Sequence, residues 1–300
     1  MLYPFLEPPY RMTMGLLPLA PAEWIEIDDA FTSDIAERER LLAERHGEVF
    51  ASVPGSEAGG REVLDRLAEH LQAQFPTHYR RDGSALIRLH DGRRFDLAQP
   101  GMHPLDLAGR LVQEDLCLMR RQGESFLLAA ASLCFPTRWR LADKIGRPLA
   151  EIHAPVPGFA ATLGKPVERF FDRVAPGKAV WRANWSLNDD PTLFQPGGHF
   201  RADHNPAITA ENAGDKLWLR VERQTLTRLA ESGDVLFTIR ILQEPLTRTA
   251  ASGTRAARLA DLIRTMPEEL RRYKSIAPFE AALLGYLDAA ARANGATVSA

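Results

Sequence analysis

Apolar positions recur at helical spacing towards both ends of the chain and alternate through its middle. Asp34 to Val49 and Gly60 to Gln74 carry apolar residues three and four apart, as in Val63, Leu64, Leu67 and Leu71, and predict two amphipathic helices. Phe75-Pro76 closes the second, because proline cannot continue a helix. Leu107, Leu111 and Leu116 carry the spacing on and predict a third helix over Leu105 to Met119. Ahead of all three, Pro4, Pro8, Pro9, Pro18 and Pro21 block helix and predict an extended arm lying on the rest of the protein.

The middle reads differently. Ser125 to Phe135 is a buried strand ended by Pro136, and Asp143 to Ile145 with Gly146 is a short helical turn. Ile152-His-Ala-Pro-Val-Pro-Gly158 reads as a rigid, extended loop, and Ala161 to Val174 as a helix that Pro166 starts or breaks. Val180 to Leu187 alternates as a strand does. Lys216 to Leu226 and Asp234 to Leu242 are alternating runs joined by Ser232-Gly233-Asp234, a hairpin signature. One hairpin face is expected to carry Leu217, Leu219 and Val221 against Phe237, Ile239 and Ile241. The other would carry Trp218, Arg220, Glu222 and Gln224, with Thr238 and Arg240 on the partner strand. Past Pro245 the helical period returns over Thr254 to Met266, from Pro267 onward, and over Phe279 to Ala293. Helices, then strands, then helices predict an α+β protein whose mainly antiparallel sheet is flanked by helical extensions. The expected organisation is an arm and helical region over 1–120, a core over 121–245 and C-terminal helices over 246–300, forming one compact unit.

Charge and composition narrow the function. The net charge is −2, and arginines are scattered among acids, so nothing supplies the basic surface that nucleic acid requires. The N-terminus lacks a basic region followed by an apolar one, and no apolar run approaches the roughly 18 residues that span a bilayer. A cytoplasmic protein with reduced thiols is expected. Its two cysteines, Cys117 and Cys134, cannot alone build a four-thiolate zinc site or hold an iron–sulfur cluster. Neither a phosphate-binding glycine loop nor a Gly-x-Ser-x-Gly elbow occurs, so nucleotide-cofactor binding and serine hydrolysis have no support.

Several stretches concentrate groups that do chemistry. His153 sits among prolines that restrict its loop, so its imidazole could ligate a metal with the second ring nitrogen fixed by a neighbour; it could equally bond a buried carbonyl. On a strand, Arg182 and Asn184 point away from Trp181 and Trp185, and could bind a carboxylate or form a solvated face. Arg220, Glu222, Gln224 and Arg240 make either a surface salt-bridge lattice or a buried polar pocket in which Glu222 pairs with a cationic amine. His199, Asp203 and His204 offer a facial triad for non-haem iron, if a loop brings them together.

Taken in order, Cys134-Phe-Pro-Thr-Arg-Trp139, Lys144-Ile-Gly146, Ile152-His-Ala-Pro-Val-Pro157, Arg182-Ala-Asn-Trp185, Arg220-Val-Glu-Arg-Gln-Thr-Leu226 and Phe237-Thr-Ile-Arg240 resemble the haem-dependent oxidative N-demethylase-like proteins. The resemblance implies a PAS-like core, a five-stranded antiparallel sheet with short helices, that binds haem b and acts as an enzyme. The implied reaction is that of a dimethylamine monooxygenase: a small secondary amine and O2 give a primary amine and formaldehyde, with electrons from a separate flavin and iron–sulfur reductase. It singles out His153 as axial iron ligand, with His199 in reserve. Arg182, Asn184 and Arg220 become cofactor contacts, Arg240 an active-site or propionate contact, and Glu222 the amine-facing carboxylate. A PAS-like haem or gas sensor without turnover is the alternative, against which stands the absence of any attached output segment.

Overall fold

A computed structural model describes residues 1–5, 7–98 and 101–295. The proline-rich arm is mostly extended and contributes β1 (Leu17–Pro18) and one 3-10 turn (Pro21–Glu23) among the described residues. The first helical run forms α1 (Phe31–Glu44) and a short α2 (His46–Val49), followed by β2 (Phe50–Ser52). The second forms α3 (Glu57–Gln74), whose Val63, Leu64, Leu67 and Leu71 are all fully buried. A three-stranded meander comes next, β3 (Tyr79–Asp82), β4 (Ala85–Arg88) and β5 (Arg93–Asp96), whose four-residue strands are too short and arginine-rich for alternation to announce them.

The helix expected over Leu105 to Met119 is instead two elements: α4 (Pro104–Gly109) and then β6 (Asp115–Gln122). In β6, Leu116 and Leu118 enter one core cluster while Cys117 and Met119 enter another on the opposite face. A strand buried on both faces is a continuous apolar run, which periodicity cannot tell from a helix. The chain continues through β7 (Ser125–Ser132), α5 (Leu149–His153), α6 (Lys165–Arg173) and β8 (Val180–Asn188). Here too one expectation is corrected, because His153 closes a helical turn rather than lying in an extended loop. Pro148 precedes that turn and the Ile152 N–H donates to its carbonyl; Pro155 and Pro157 act only after it. Then come α7 (Ala213–Lys216), β9 (Trp218–Arg228), β10 (Val235–Pro245), α8 (Leu246–Ala250), α9 (Gly253–Thr265), α10 (Glu268–Tyr273) and α11 (Glu280–Ala293).

Seven strands form one antiparallel sheet in the order β1-β8-β9-β10-β6-β7-β2. Its first face is covered twice. Leu64, Leu67, Leu105 and Leu111 from the N-terminal helical region pack on Leu116, Leu118 and Leu236. Leu259, Ile263, Leu283 and Leu287 from α9 and α11 pack on Trp185, Leu187, Leu219 and Val221. The second face meets α5, α6 and the segment after β7, through Leu149, Phe171, Leu141 and Leu133. This lighter cover is where polar side chains enter the interior.

Close packing of α4 on β7 gives a test. A Cβ at Gly109 would overlap the Ser132 side chain, whereas nothing lies within 4 Å of one at Gly47. Gly109→Ala should therefore cost about 1–3 kcal/mol and lower Tm, while Gly47→Ala should not. A Gly109→Ala protein as heat-stable as its parent would contradict this packing.

Candidate functional site

Strand register decides which side chains share the second face. Every β9–β10 pair joins an even residue to an odd one: Glu222 faces Ile241, Gln224 faces Ile239 and Leu226 faces Phe237. From β8, Asn184 lies opposite Glu222 and Arg182 opposite Gln224. The face thus grades from an apolar row, Val180, Leu226, Phe237 and Cys117, to a polar row centred on Glu222. This corrects the expected hairpin faces, since Phe237, Ile239 and Ile241 lie with Glu222 and not with Leu219 and Val221. The six residues 229–234 between the strands set the register, and a slip of one residue exchanges the faces completely.

Arg240 consequently leaves the site. It pairs with Arg223 across the ladder and points to the first face, where its guanidinium meets Asp28 at 2.8 Å and Asp34 at 3.1 Å. Arg220 does lie on the second face, fully buried, but its donors are already committed. Nε donates to Thr137 Oγ1 (3.0 Å), Nη1 to the Thr192 carbonyl and Gln243 Oε1, and Nη2 to the carbonyls of Phe135 (2.9 Å) and Leu193 (3.0 Å). With all five N–H groups used, Arg220 fastens two loops to the sheet and has none left for a cofactor.

Glu222 is buried, and accepts from Gln224 Nε2 (2.7 Å) and Asn184 Nδ2 (3.3 Å) without touching any cation. Three cations nevertheless surround it. Arg182 makes no hydrogen bond or ion pair among the described residues, and its buried Nε has no partner. Lys144 Nζ lies 4.4 Å over the Trp139 ring. Lys274 Nζ donates to the Trp185 carbonyl (2.6 Å) and reaches Asn184 Oδ1 at 3.5 Å. Burial lowers the pKa of all three, Lys274 to about 8, while the Glu222 charge opposes the shift in each. Tyr273, pushed up to about 12 by burial and by Glu222, stays a neutral phenol. Tyr10 of the N-terminal arm comes within range of the Arg182 charge, which opposes the upward shift that burial gives its phenol. An N-terminal segment and a C-terminal turn thereby add to a polar cluster built on mid-chain strands.

Two imidazoles border these cations. His153 Nδ1 lies 2.9 Å from the Leu149 carbonyl, and its ring stacks on Phe159 at 4.2 Å. A carbonyl only accepts, so Nδ1 carries the proton and the Nε2 lone pair is free. Burial, aided by the charges of Lys144 and Arg182, pushes the His153 pKa down to about 4, so the ring is neutral at pH 7. His199 repeats the arrangement, with Nδ1 3.0 Å from the Tyr273 carbonyl and the ring stacked on Tyr273 at 4.4 Å. Asp203 and His204 are exposed instead, and among the described residues no three His, Cys, Asp or Glu side chains converge to hold a metal ion. The non-haem triad expected from His199, Asp203 and His204 is not assembled.

Arg182, Asn184, Glu222, His153 and His199 thus contribute to one region, from which Arg240 is absent and in which Arg220 is structural. Sequence reasoning passed over Lys144, Tyr273 and Lys274. Lys144 stood inside a quoted motif without a role, and only the fold brings Tyr273 and Lys274 back to β8. Replacing Arg220 with Leu should destabilise the protein by about 3 kcal/mol in urea unfolding, since several buried carbonyls lose their donors. Lys should restore only part of that, having no planar fork. A loss below about 1 kcal/mol for Arg220→Leu would contradict the structural role.

No helix among the described residues is long and apolar enough to cross a membrane. The sequence model of a family described as haem-dependent oxidative N-demethylase, alpha subunit-like, matches residues 15–284, from just before β1 into α11. All seven strands of the large sheet and every pocket residue above except Tyr10 lie inside that match. The chain belongs to the haem-dependent oxidative N-demethylase alpha subunit-like family.

Proposed function

We propose that the second face of the sheet binds haem b with His153 Nε2 as axial ligand, and that the chain removes a methyl group oxidatively from a small secondary amine such as dimethylamine. The observation that carries this reading is the His153 imidazole: neutral, fixed through Nδ1 to a backbone carbonyl, and free at Nε2 near half-buried Arg182, whose buried Nε has no partner. Ligating imidazoles are commonly held this way. The rest of the face suits an amphipathic macrocycle. Leu226, Phe237 and Ile239 form an apolar row on the same face, packed in core clusters that for the first two include residues of α5 and α6. Arg182 and Lys144 are cations without anionic partners among the described residues, as propionates require. Five long strands in the order β8-β9-β10-β6-β7, with α5 and α6 between β7 and β8 in the chain, agree with a PAS-like core.

Bound haem supplies the activation of O2 that oxidation of an N-methyl group needs. Overall, dimethylamine, O2, two electrons and two protons give methylamine, formaldehyde and water. Glu222 holds the protonated amine and matches its charge, while Asn184 and Gln224 fix the carboxylate's orientation. Tyr273 stacks on His199 and stays a neutral phenol beside the Glu222 charge. The electrons come from a separate flavin and iron–sulfur reductase, in keeping with a family named for an alpha subunit. Two free, buried cysteines suit a reducing, cytoplasmic setting.

Two comparisons test the reading. Protein made with ample haem should show a Soret band that His153→Ala abolishes and His199→Ala preserves; the reverse pattern would move the ligand to His199. With dimethylamine as titrant, Glu222→Gln should keep the haem but weaken amine binding about tenfold or more, and formaldehyde release should fall with it. Unchanged amine affinity in that variant would remove the role given to Glu222.

A further inference from the structure

Three half-buried cations and one carboxylate leave two positive charges over, as many as the two propionates of the proposed cofactor neutralise. Arg182, Lys144 and Lys274 surround Glu222, and no carboxylate lies within ion-pairing distance of any of the three among the described residues. Arg220 adds its own buried charge and likewise has no acidic partner. The other three fully buried arginines, Arg38, Arg88 and Arg240, are each ion-paired to an aspartate or a glutamate. Arg220 is satisfied by neutral acceptors, but Arg182, Lys144 and Lys274 are half-buried with donors to spare, and so leave places for anions.

The three cations divide by position. Arg182 stands on β8 opposite Gln224, next along the face from Asn184 and Glu222, and Lys144 lies over Trp139. Neither has an anionic partner among the described residues, and the two are assigned to the propionates. Lys274 lies elsewhere: its Nζ reaches Asn184 Oδ1 at 3.5 Å, and the same Asn184 donates to Glu222 at 3.3 Å. One amide therefore separates a cation from an anion by two hydrogen bonds. A simple alkylammonium placed there would gain Glu222 but face an uncompensated Lys274. A molecule carrying a carboxylate beside its ammonium would satisfy both.

We propose, resting on the reading of this face as the haem and amine site, that the physiological substrate class is a short zwitterion, an N-methylated amino acid, whose ammonium meets Glu222 and whose carboxylate meets Lys274. Both charges of such a molecule are matched by this chain, and it enters without upsetting the charge balance, which a bare alkylammonium would. The N-methyl group is then held by a two-point contact, which orients it better than a single ion pair can. The reaction remains the oxidative demethylation above; only the group carried on the nitrogen changes.

The test is a spectral titration of the haem-loaded full chain with N-methylglycine and with dimethylamine at pH 7. The expected result is at least about tenfold tighter binding of N-methylglycine. Lys274→Met should cost N-methylglycine at least about tenfold more affinity than it costs dimethylamine. Equal or tighter binding of dimethylamine to the unmodified protein overturns the proposal and leaves the haem reading standing, because the Soret band is still there to be titrated. A preference that survives in Lys274→Met overturns the assignment to Lys274. A chain that takes up no haem overturns the underlying reading and this proposal with it. The wild-type comparison decides the substrate class even if the variant fails to fold.

Discussion

Arg220 takes a full positive charge into the interior and meets no carboxylate there, only neutral oxygens of the loops it holds. Burial lowers its pKa to about 10, so it remains charged at neutral pH. The Phe135–Thr137 segment is gripped from two sides: Arg220 binds Phe135 O and Thr137 Oγ1 from β9, while Asp115 on β6 accepts the N–H groups of Cys134 (2.7 Å) and Phe135 (3.0 Å). Asp115 is itself held by fully buried Arg38 at 2.9 Å. Hydrogen bonds to charged groups contribute about 1.5–3 kcal/mol each, which fixes a segment that would otherwise be a mobile surface loop. The next residues of the chain line the site. Arg138 donates to the Lys274 carbonyl at 3.0 Å, and Trp139 lies under Lys144. Glu222, two residues from Arg220, takes its surroundings from this scaffold.

The sheet separates two buried charge systems of different character. Behind it, Arg240 is paired with Asp34 and with the more exposed Asp28, and the contact with Asp34 locks α1 to β10. In front of it, Arg182, Lys144 and Lys274 face a single carboxylate that none of them touches. A structural network closes on itself because unpaired buried charge is expensive. The front system stays open, and the neutral His153 beside it presents a free Nε2. That contrast is what the proposed ligand site rests on.

Much of the fold was legible because long periodic runs are reliable: α3, α9, α11, β7, β8 and the β9–β10 hairpin stand where their patterns put them. The failures have specific causes. The strand β6 is apolar on both faces and so imitated a helix. The meander β3–β5 has strands of only four residues. The hairpin was recognised, but its register hung on a six-residue connection, and one residue of offset moved Arg240 through the sheet. The site was half legible: Arg182, Asn184 and Glu222 share a face because strand alternation puts them there. Lys144, Tyr273 and Lys274 could not be found in this way, because their places depend on long-range packing of a loop and a C-terminal turn against β8. Arg220 was misjudged for a related reason, since nothing local reveals that carbonyls from two other segments consume its donors.

Anomalous diffraction at the iron absorption edge, collected from crystals of the haem-loaded chain, tests the central claim most directly. The account predicts one iron peak within coordination distance of His153 Nε2, over the Phe237 and Leu226 end of the sheet's second face. An iron peak at His199, on the first face beside Arg240, or on the protein surface would contradict it.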